Sequence, residues 1–285
     1  MTATANTKPT AAKDTTSRIA GGRVGVLLLH GLCGTPAEMR FVAMGLARAG
    51  YTVHTPQLAG HGSENGGRWQ DWYLSARAAL IELRKECDTV IVGGLCMGAI
   101  LGLHLAARHP DKVQGVSLFS PTLWINGWAM PWHMRLFSLV RFSRFAKLFN
   151  FPDADSLGIK CPRVRGFVKT ALENSGSEFG RSGVPGEMVL EHRRMVAAAM
   201  SILGRVRQPT LIVHSRQDDY AALNNAEHIK GVLTGSVDMV VLEDSYHMVT
   251  LDKERHVVVE RARAFVDSII GELRLAAGDA LPLAA

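Results

Sequence analysis

The chain has 285 residues, 47% of them hydrophobic and 20% charged, with a net charge of +6 at pH 7. These values exclude a disordered chain and fit one large α/β domain with an insertion, or at most two small domains. No stretch reaches the roughly 18 uncharged apolar residues of a membrane span, and no nucleic-acid module is present, so the basic balance reports solubility and weak attraction to anions rather than a nucleic-acid partner.

Residues Met1 to Ala20 are rich in Thr and Ala and lack an apolar core, which argues against a secretory signal and predicts a disordered tail. Arg23 to His30 is a continuous apolar run suited to a strand buried on both faces, followed by the glycine-containing loop His30-Gly31-Leu32-Cys33-Gly34. Thr35 and Pro36 then read as an N-cap and first-turn proline of a helix to about Ala49, stopped by Gly50. Tyr51 to Pro56 is a short strand, Gly60-His61-Gly62-Ser63 a loop, and Trp69 to Glu86 a helix with apolar residues at helical spacing.

Asp88 to Arg108 reads as buried strand, sharp turn and helix, with Gly94-Leu95-Cys96-Met97-Gly98 at the turn. A side chain is lifted above the end of a strand only if the backbone turns abruptly, and flanking glycines remove the Cβ atoms that would clash there. Cys96 is thereby predicted to sit exposed at the start of a helix, where unpaired N–H groups and the helix dipole favour an anion. The alternative for such a turn is a buried, inert cysteine.

Val113 to Ser120 begins the next strand, and strands alternating with helices at this spacing imply a parallel sheet covered on both sides. From about Pro121 to Val206 the alternation stops. Trp124, Trp128, Trp132, Phe137, Phe142, Phe145 and Phe149 are interleaved with Arg135, Arg141, Arg144 and Lys147, a spacing that predicts an amphipathic basic helix. A lid packed on the sheet is favoured over a membrane-surface anchor, and an apolar lid implies an acyl or otherwise apolar substrate group. The three tryptophans, Trp124, Trp128 and Trp132, are the candidate substrate contacts. The pattern resumes with Thr210 to Asp219, a strand ending in a polar turn that holds Asp218 and Asp219, then a helix over about Asn224 to Val232, the strand Asp238 to Leu242, His247, and a last helix from about Lys253 to Arg274.

His30-Gly31 after the first strand, Cys96 at an elbow, an Asp after a late strand and His247 before the last helix follow the chain order of the α/β-hydrolase fold. From about Arg23 to Arg274 the chain resembles that family, and within it the bacterial carboxylesterase and monoacylglycerol lipase group. The supporting residues are Leu27-Leu-Leu-His-Gly-Leu32, Gly60-His61-Gly62, Gly94-Leu-Cys-Met-Gly98, Ser215-Arg-Gln-Asp218 and Ser245-Tyr-His247-Met-Val-Thr-Leu-Asp252. The resemblance implies a mostly parallel sheet flanked by helices, with the core in 21–120 and 207–275, a helical lid insertion in 121–206, and tails at 1–20 and 276–285. It also implies Cys96 as nucleophile, His247 as base, Asp218 as orienting acid with Asp219 as the fallback, and backbone N–H groups of Leu32 and Met97 as the oxyanion hole. The remaining histidines are read as structural or solvated.

Cys96 stands where the esterases carry serine, either as a native residue or as a serine replacement. Native cysteine at this turn resembles dienelactone hydrolases, polyhydroxyalkanoate synthases and some thioesterase-like acyltransferases of the same fold. The expected activity is hydrolysis of a carboxylic ester or thioester through a covalent acyl-enzyme. A thioester intermediate is readily attacked by amines and thiols, so transfer or cyclisation is the alternative, with an acyl acceptor or a carrier-bound thioester as partner. A non-catalytic binding protein on the same scaffold is the third reading. Cys33 reads as a small loop-filling residue, with oxidative pairing to Cys96 as the alternative. The four cysteines, Cys33, Cys87, Cys96 and Cys161, make neither a disulfide framework nor a zinc spacing. A cytoplasmic location, no metal and no cofactor are expected.

Overall fold

A computed structural model describes residues 14–61, 66–130, 137, 139–173, 178–180 and 182–278. Its centre is a seven-stranded sheet built from β1 (Ser17–Ile19), β2 (Val24–Leu29), β3 (Thr52–Thr55), β4 (Thr89–Leu95), β5 (Gly115–Phe119), β8 (Thr210–Ser215) and β9 (Val237–Leu242), in the spatial order β1-β3-β2-β4-β5-β8-β9. All neighbouring pairs are parallel except β1 with β3. The connecting helices are α1 (Arg40–Arg48), α2 (Trp69–Arg84), α3 (Met97–Arg108), α7 (Asn224–Val232) and α8 (Arg255–Ala276).

The apolar run of β2 divides between two cores because successive strand residues point to opposite faces. Leu27 and Leu29 join Val90 and Val92 of β4 against α2 and α3, while Val26 and Leu28 join Ile91 and Phe119 against α1 and α8. Thr35 accepts a hydrogen bond from Ala37 N at 3.3 Å, and Pro36 opens a 3-10 turn (Pro36–Met39) that feeds α1. Gly50, at φ 90°, ends it.

β1 lies inside the stretch read from sequence as a disordered tail. Three residues carry no apolar signal of their own, and the strand is tied down tertiarily: Gly21 N–H donates to Thr52 Oγ1 at 2.9 Å, and Thr52 Oγ1 donates to Gly22 O at 2.8 Å.

Between β5 and β8 the described elements are α4 (Ser143–Ala146), β6 (Asn150–Phe151), α5 (Pro162–Glu173), β7 (Val184–Pro185) and α6 (Gly186–Met200), with β6 and β7 paired antiparallel. The aromatic and basic run expected to form one amphipathic helix contains, among its described residues, only the four-residue α4. Phe137, Phe149 and Phe151 instead gather in one cluster, with Phe137 edge-on to Phe149 at 5.2 Å and to Phe151 at 5.1 Å, packed on Ala146, Val189 and Leu190. The aromatic spacing therefore serves a folded-back loop rather than a helical stripe. α6 anchors the insertion to the sheet layer, where buried His104 Nε2 of α3 donates to Met195 O at 3.1 Å.

Candidate active site

Loops leaving the carboxyl ends of β2, β4, β5, β8 and β9 meet at one place, because these strands are parallel and adjacent. The tightest turn is at Cys96, between the end of β4 and the first residue of α3, with φ 55° and ψ −113°. Its N–H donates to Phe119 O at 2.9 Å. A Cβ on Gly94 would lie 2.3 Å from the Gly98 backbone, and one on Gly98 would lie 2.3 Å from Leu29 O. Both glycines are thus required by close backbone approach, as the sequence spacing implies.

His247 is buried in the loop between β9 and α8. Its Nδ1–H donates to Asp218, 2.8 Å from Oδ2 and 3.0 Å from Oδ1. Asp218 Oδ1 also accepts from Tyr220 N at 2.9 Å and Ala221 N at 2.7 Å. Cys96 lines the same cavity as His247 and also acts on the imidazole. Burial pushes the His247 pKa down, but the Asp218 carboxylate and then Cys96 outweigh it, and the net direction is well above the ordinary value. Burial likewise opposes ionisation of Asp218, yet His247 beside it holds its carboxyl below the usual range.

The turn at Asp218 and Asp219 divides the labour between two carboxylates. Asp219 does not reach the imidazole ring in this arrangement. Its Oδ1 accepts the His247 backbone N–H at 3.2 Å, and its Oδ2 accepts from Ser156 Oγ and from Gly158 N at 3.2 Å. It ties the histidine loop to the insertion. Ser120, at the end of β5, donates to His247 O at 2.7 Å.

The loop after β2 presses against the elbow: a Cβ on Gly31 would lie 3.6 Å from Cys96 Cβ. Gly34 N donates to Gly31 O at 3.2 Å, and Gly31 N donates to Glu38 Oε2 at 2.7 Å. Leu32 lies in this loop and lines the cavity, and Met97 is the first residue of α3, where backbone N–H groups have no partner within the helix. Above Cys96 and His247 opens a cavity of about 830 Å³ whose walls include Ile125, Phe151, Leu157, Ile159 and Val189.

A profile of the family described as serine aminopeptidase, S33, matches residues 22–254. The chain belongs to this S33 family of α/β-hydrolases. Its relatives include a thermostable monoacylglycerol lipase from Bacillus sp. (strain H-257), 32% identical over 249 residues, covering 86% of this chain and 90% of the lipase. A carboxylesterase from Bacillus subtilis (strain 168) is 25% identical over 256 residues, with 87% of this chain and 94% of the esterase covered. Among solved structures, one of the metagenome-derived lipolytic enzymes LipS and LipT superposes with a TM-score of 0.76 at 31% identity, covering 89% of this chain and 97% of that one. The mostly parallel sheet flanked by helices expected from the sequence is the fold found, and the chain is an enzyme of the α/β-hydrolase class. Where the family is named for a serine, its elbow carries Cys96.

Of the three tryptophans expected to touch substrate, Trp128 of the S33 chain lines the cavity; its Nε1–H donates to Gln217 O at 3.0 Å and its ring meets Tyr246 at 5.4 Å. Trp124 does not line it. Asn225 Oδ1 accepts the backbone N–H groups of Leu123 and Trp124 at 2.9 and 2.7 Å, which turns the indole onto His228 at 5.1 Å on α7. Trp132 lies outside the described residues, as does part of the Gly60-His61-Gly62 motif.

Several neighbours of the site escaped the sequence reading. Glu38 is buried among cavity residues, and burial lifts its carboxyl to about 7 against the opposing Gly31 N–H bond. His30, quoted only as part of a motif, uses its whole ring: Nδ1–H donates to Gly31 O at 2.9 Å and Nε2 accepts from Leu58 N at 3.1 Å. His214 lies 3.4 Å from Asp218 Oδ2 and donates through Nε2 to Ala221 O at 2.8 Å. Their contacts depend on how the chain folds back around the site, so spacing gave little signal. Among the described residues no helix is long and apolar enough to cross a membrane, and no group of three or more His, Cys, Asp or Glu is placed to hold a metal ion.

Proposed function

We propose that the chain hydrolyses carboxylic esters of lipid-like acyl groups through a Cys96–His247–Asp218 triad and a covalent acyl-enzyme. The observation that carries this reading is the buried imidazole bonded to the Asp218 carboxylate and lining the same largely apolar cavity as the elbow cysteine. Support for the substrate class comes from the relatives, which are a monoacylglycerol lipase and a carboxylesterase.

In the first half-reaction Cys96 sulfur forms a bond to the ester carbonyl carbon, and the carbonyl π electrons move onto oxygen. His247 holds the proton given up by sulfur. Backbone N–H groups of Leu32 and Met97 stabilise the oxyanion. Collapse of the adduct breaks the carbon–alkoxide bond, and His247 gives its proton to the departing alcohol, leaving a thioester. In the second half-reaction water attacks the thioester carbon, His247 takes its proton, and sulfur leaves as the acid forms. Asp218 supports the imidazolium throughout by accepting the Nδ1–H bond.

Cysteine favours a second reading in which an amine or thiol takes the acyl group instead of water, because a thioester keeps it activated. Both readings are tested by Cys96→Ala and Cys96→Ser variants with short and medium-chain esters. The Ala variant should lose at least about a thousandfold in kcat/KM, and the Ser variant should retain the fold with altered turnover. Unchanged turnover in the Ala variant would overturn the triad. Release of the acyl group only on addition of an amine or thiol would replace hydrolysis by transfer.

A further inference from the structure

The cavity wall formed by α6 carries a polar group that the triad does not use. His192 is 1% exposed and lines the cavity. Among the described residues neither of its ring nitrogens has a hydrogen-bond partner. The Thr122 backbone lies beside the ring without making a bond of ordinary length and angle. The other buried imidazoles around the site behave differently: His30, His61, His104 and His214 each bond to a backbone group through at least one nitrogen. Burial, with His247 nearby, lowers the His192 pKa to about 4. At neutral pH the ring is therefore uncharged and offers one donor and one acceptor.

Two unpaired polar atoms in an apolar enclosure are costly to leave unmet, and in native structures such groups are met by water or ligand. His192 shares α6 with Val189, and Val189 packs with Phe151 and Val184 to form apolar wall of the same cavity. Cys96, His247 and His192 line the same cavity, so an acyl chain lying along that wall from Cys96 runs past the imidazole. A plain alkyl chain would leave both nitrogens unmet; a chain bearing a hydroxyl near its carbonyl would satisfy one as donor or acceptor.

We propose that His192 is a recognition point for an oxygen on the acyl group, so that the preferred esters are those of hydroxyacyl chains with the hydroxyl a few carbons from the carbonyl. This rests on the reading of the cavity as the acyl site. A site built to pair a substrate hydroxyl discriminates strongly against the analogue that lacks it.

The test separates binding from turnover. Heptan-2-one and 4-hydroxyheptan-2-one, which carry a methyl group in place of the alkoxy leaving group, are titrated calorimetrically into the full-length wild type, His192→Phe and His192→Gln. The wild type should bind the hydroxyketone about tenfold more tightly, His192→Phe should show no difference, and His192→Gln, which keeps a donor and an acceptor, should keep much of it. The same ratio should appear in kcat/KM for the p-nitrophenyl esters of 3-hydroxyhexanoate and hexanoate.

Equal binding of the two ketones by the wild type, or a preference that survives in His192→Phe, would overturn the proposal. A wild type that shows the binding preference but hydrolyses neither ester would refute the hydrolase reading and leave this one standing. Where His192→Phe fails to fold, the imidazole nitrogen resonances of the wild type decide: a shift on adding the hydroxyketone but not the ketone supports the contact, and no shift overturns it.

Discussion

Glu38 shows how a residue outside the proposed triad shapes its surroundings. Its Oε2 accepts the Gly31 N–H at 2.7 Å, and a Cβ on Gly34 would fall 1.9 Å from Oε1. The carboxyl therefore fills the inside of the loop that carries Leu32. Glu38→Ala removes this clamp, and kcat should fall by about tenfold to a hundredfold, with KM less affected, because misplaced oxyanion donors act on the transition state. The pH dependence has a definite sign. Burial raises the folded-state pKa from the ordinary 4.5 to about 7, so in that interval the folded chain binds more protons than the unfolded one, and stability is lost as pH rises through it. Thermal melts from pH 4 to 8 should show the wild type losing stability relative to Glu38→Gln; parallel curves would contradict the assignment.

The neighbouring carboxylates Asp218 and Asp219 give a second contrast. Asp218→Asn should lower kcat/KM by about a thousandfold or more. It should also move the alkaline limb of the pH–rate profile downward, since the carboxylate helps to hold the His247 pKa up. Asp219→Asn alters the ties to Ser156, Gly158 and the His247 backbone, so stability should suffer more than the profile. Steady-state kinetics across pH on both variants checks this, and equal profiles would refute it.

At the level of elements, the elbow is the most constrained. Gly98→Ala places a Cβ 2.3 Å from Leu29 O and 2.6 Å from His30 O, rigid backbone that has no way to yield, so loss of stability by about 3 kcal/mol or more is expected. Gly166, inside α5 with nothing within 4 Å of its added Cβ, should instead gain about 0.5–1 kcal/mol on replacement by Ala. Urea unfolding of the two variants measures both. The elbow was readable because Gly94, Cys96 and Gly98 state a backbone requirement locally. The helix α7 was equally readable from its own residues. The stretch around Phe137 to Phe149 was not, because its aromatic rings pack on one another and on α6 rather than along one helical face. β1 was missed for a related reason: its three residues pair with Val53, His54 and Thr55 of β3, and Thr52 of the same strand fixes the Gly21-Gly22 turn that follows.

Across the whole molecule, the sheet order converts a long sequence separation into contact. Gly31, Cys96, Ser120, Asp218 and His247 follow β2, β4, β5, β8 and β9, which lie side by side, so residues spread over most of the chain share one end of one sheet. Motif order singled out Cys96, Asp218 and His247 as candidates. It could not reveal Glu38, His192 or His214, whose significance lies in what they face across the cavity or behind Asp218 rather than in any spacing. The central claim is that an acyl group passes through Cys96 sulfur, and intact-protein mass after brief mixing with a short-chain activated ester, with peptide mapping of the adduct, tests it directly. A single acyl increment on Cys96 that disappears to free acid in buffer, and that is absent from Cys96→Ala, is the predicted result. Ester turnover with no adduct on Cys96 at any time, or an adduct that forms equally in Cys96→Ala, would contradict the account.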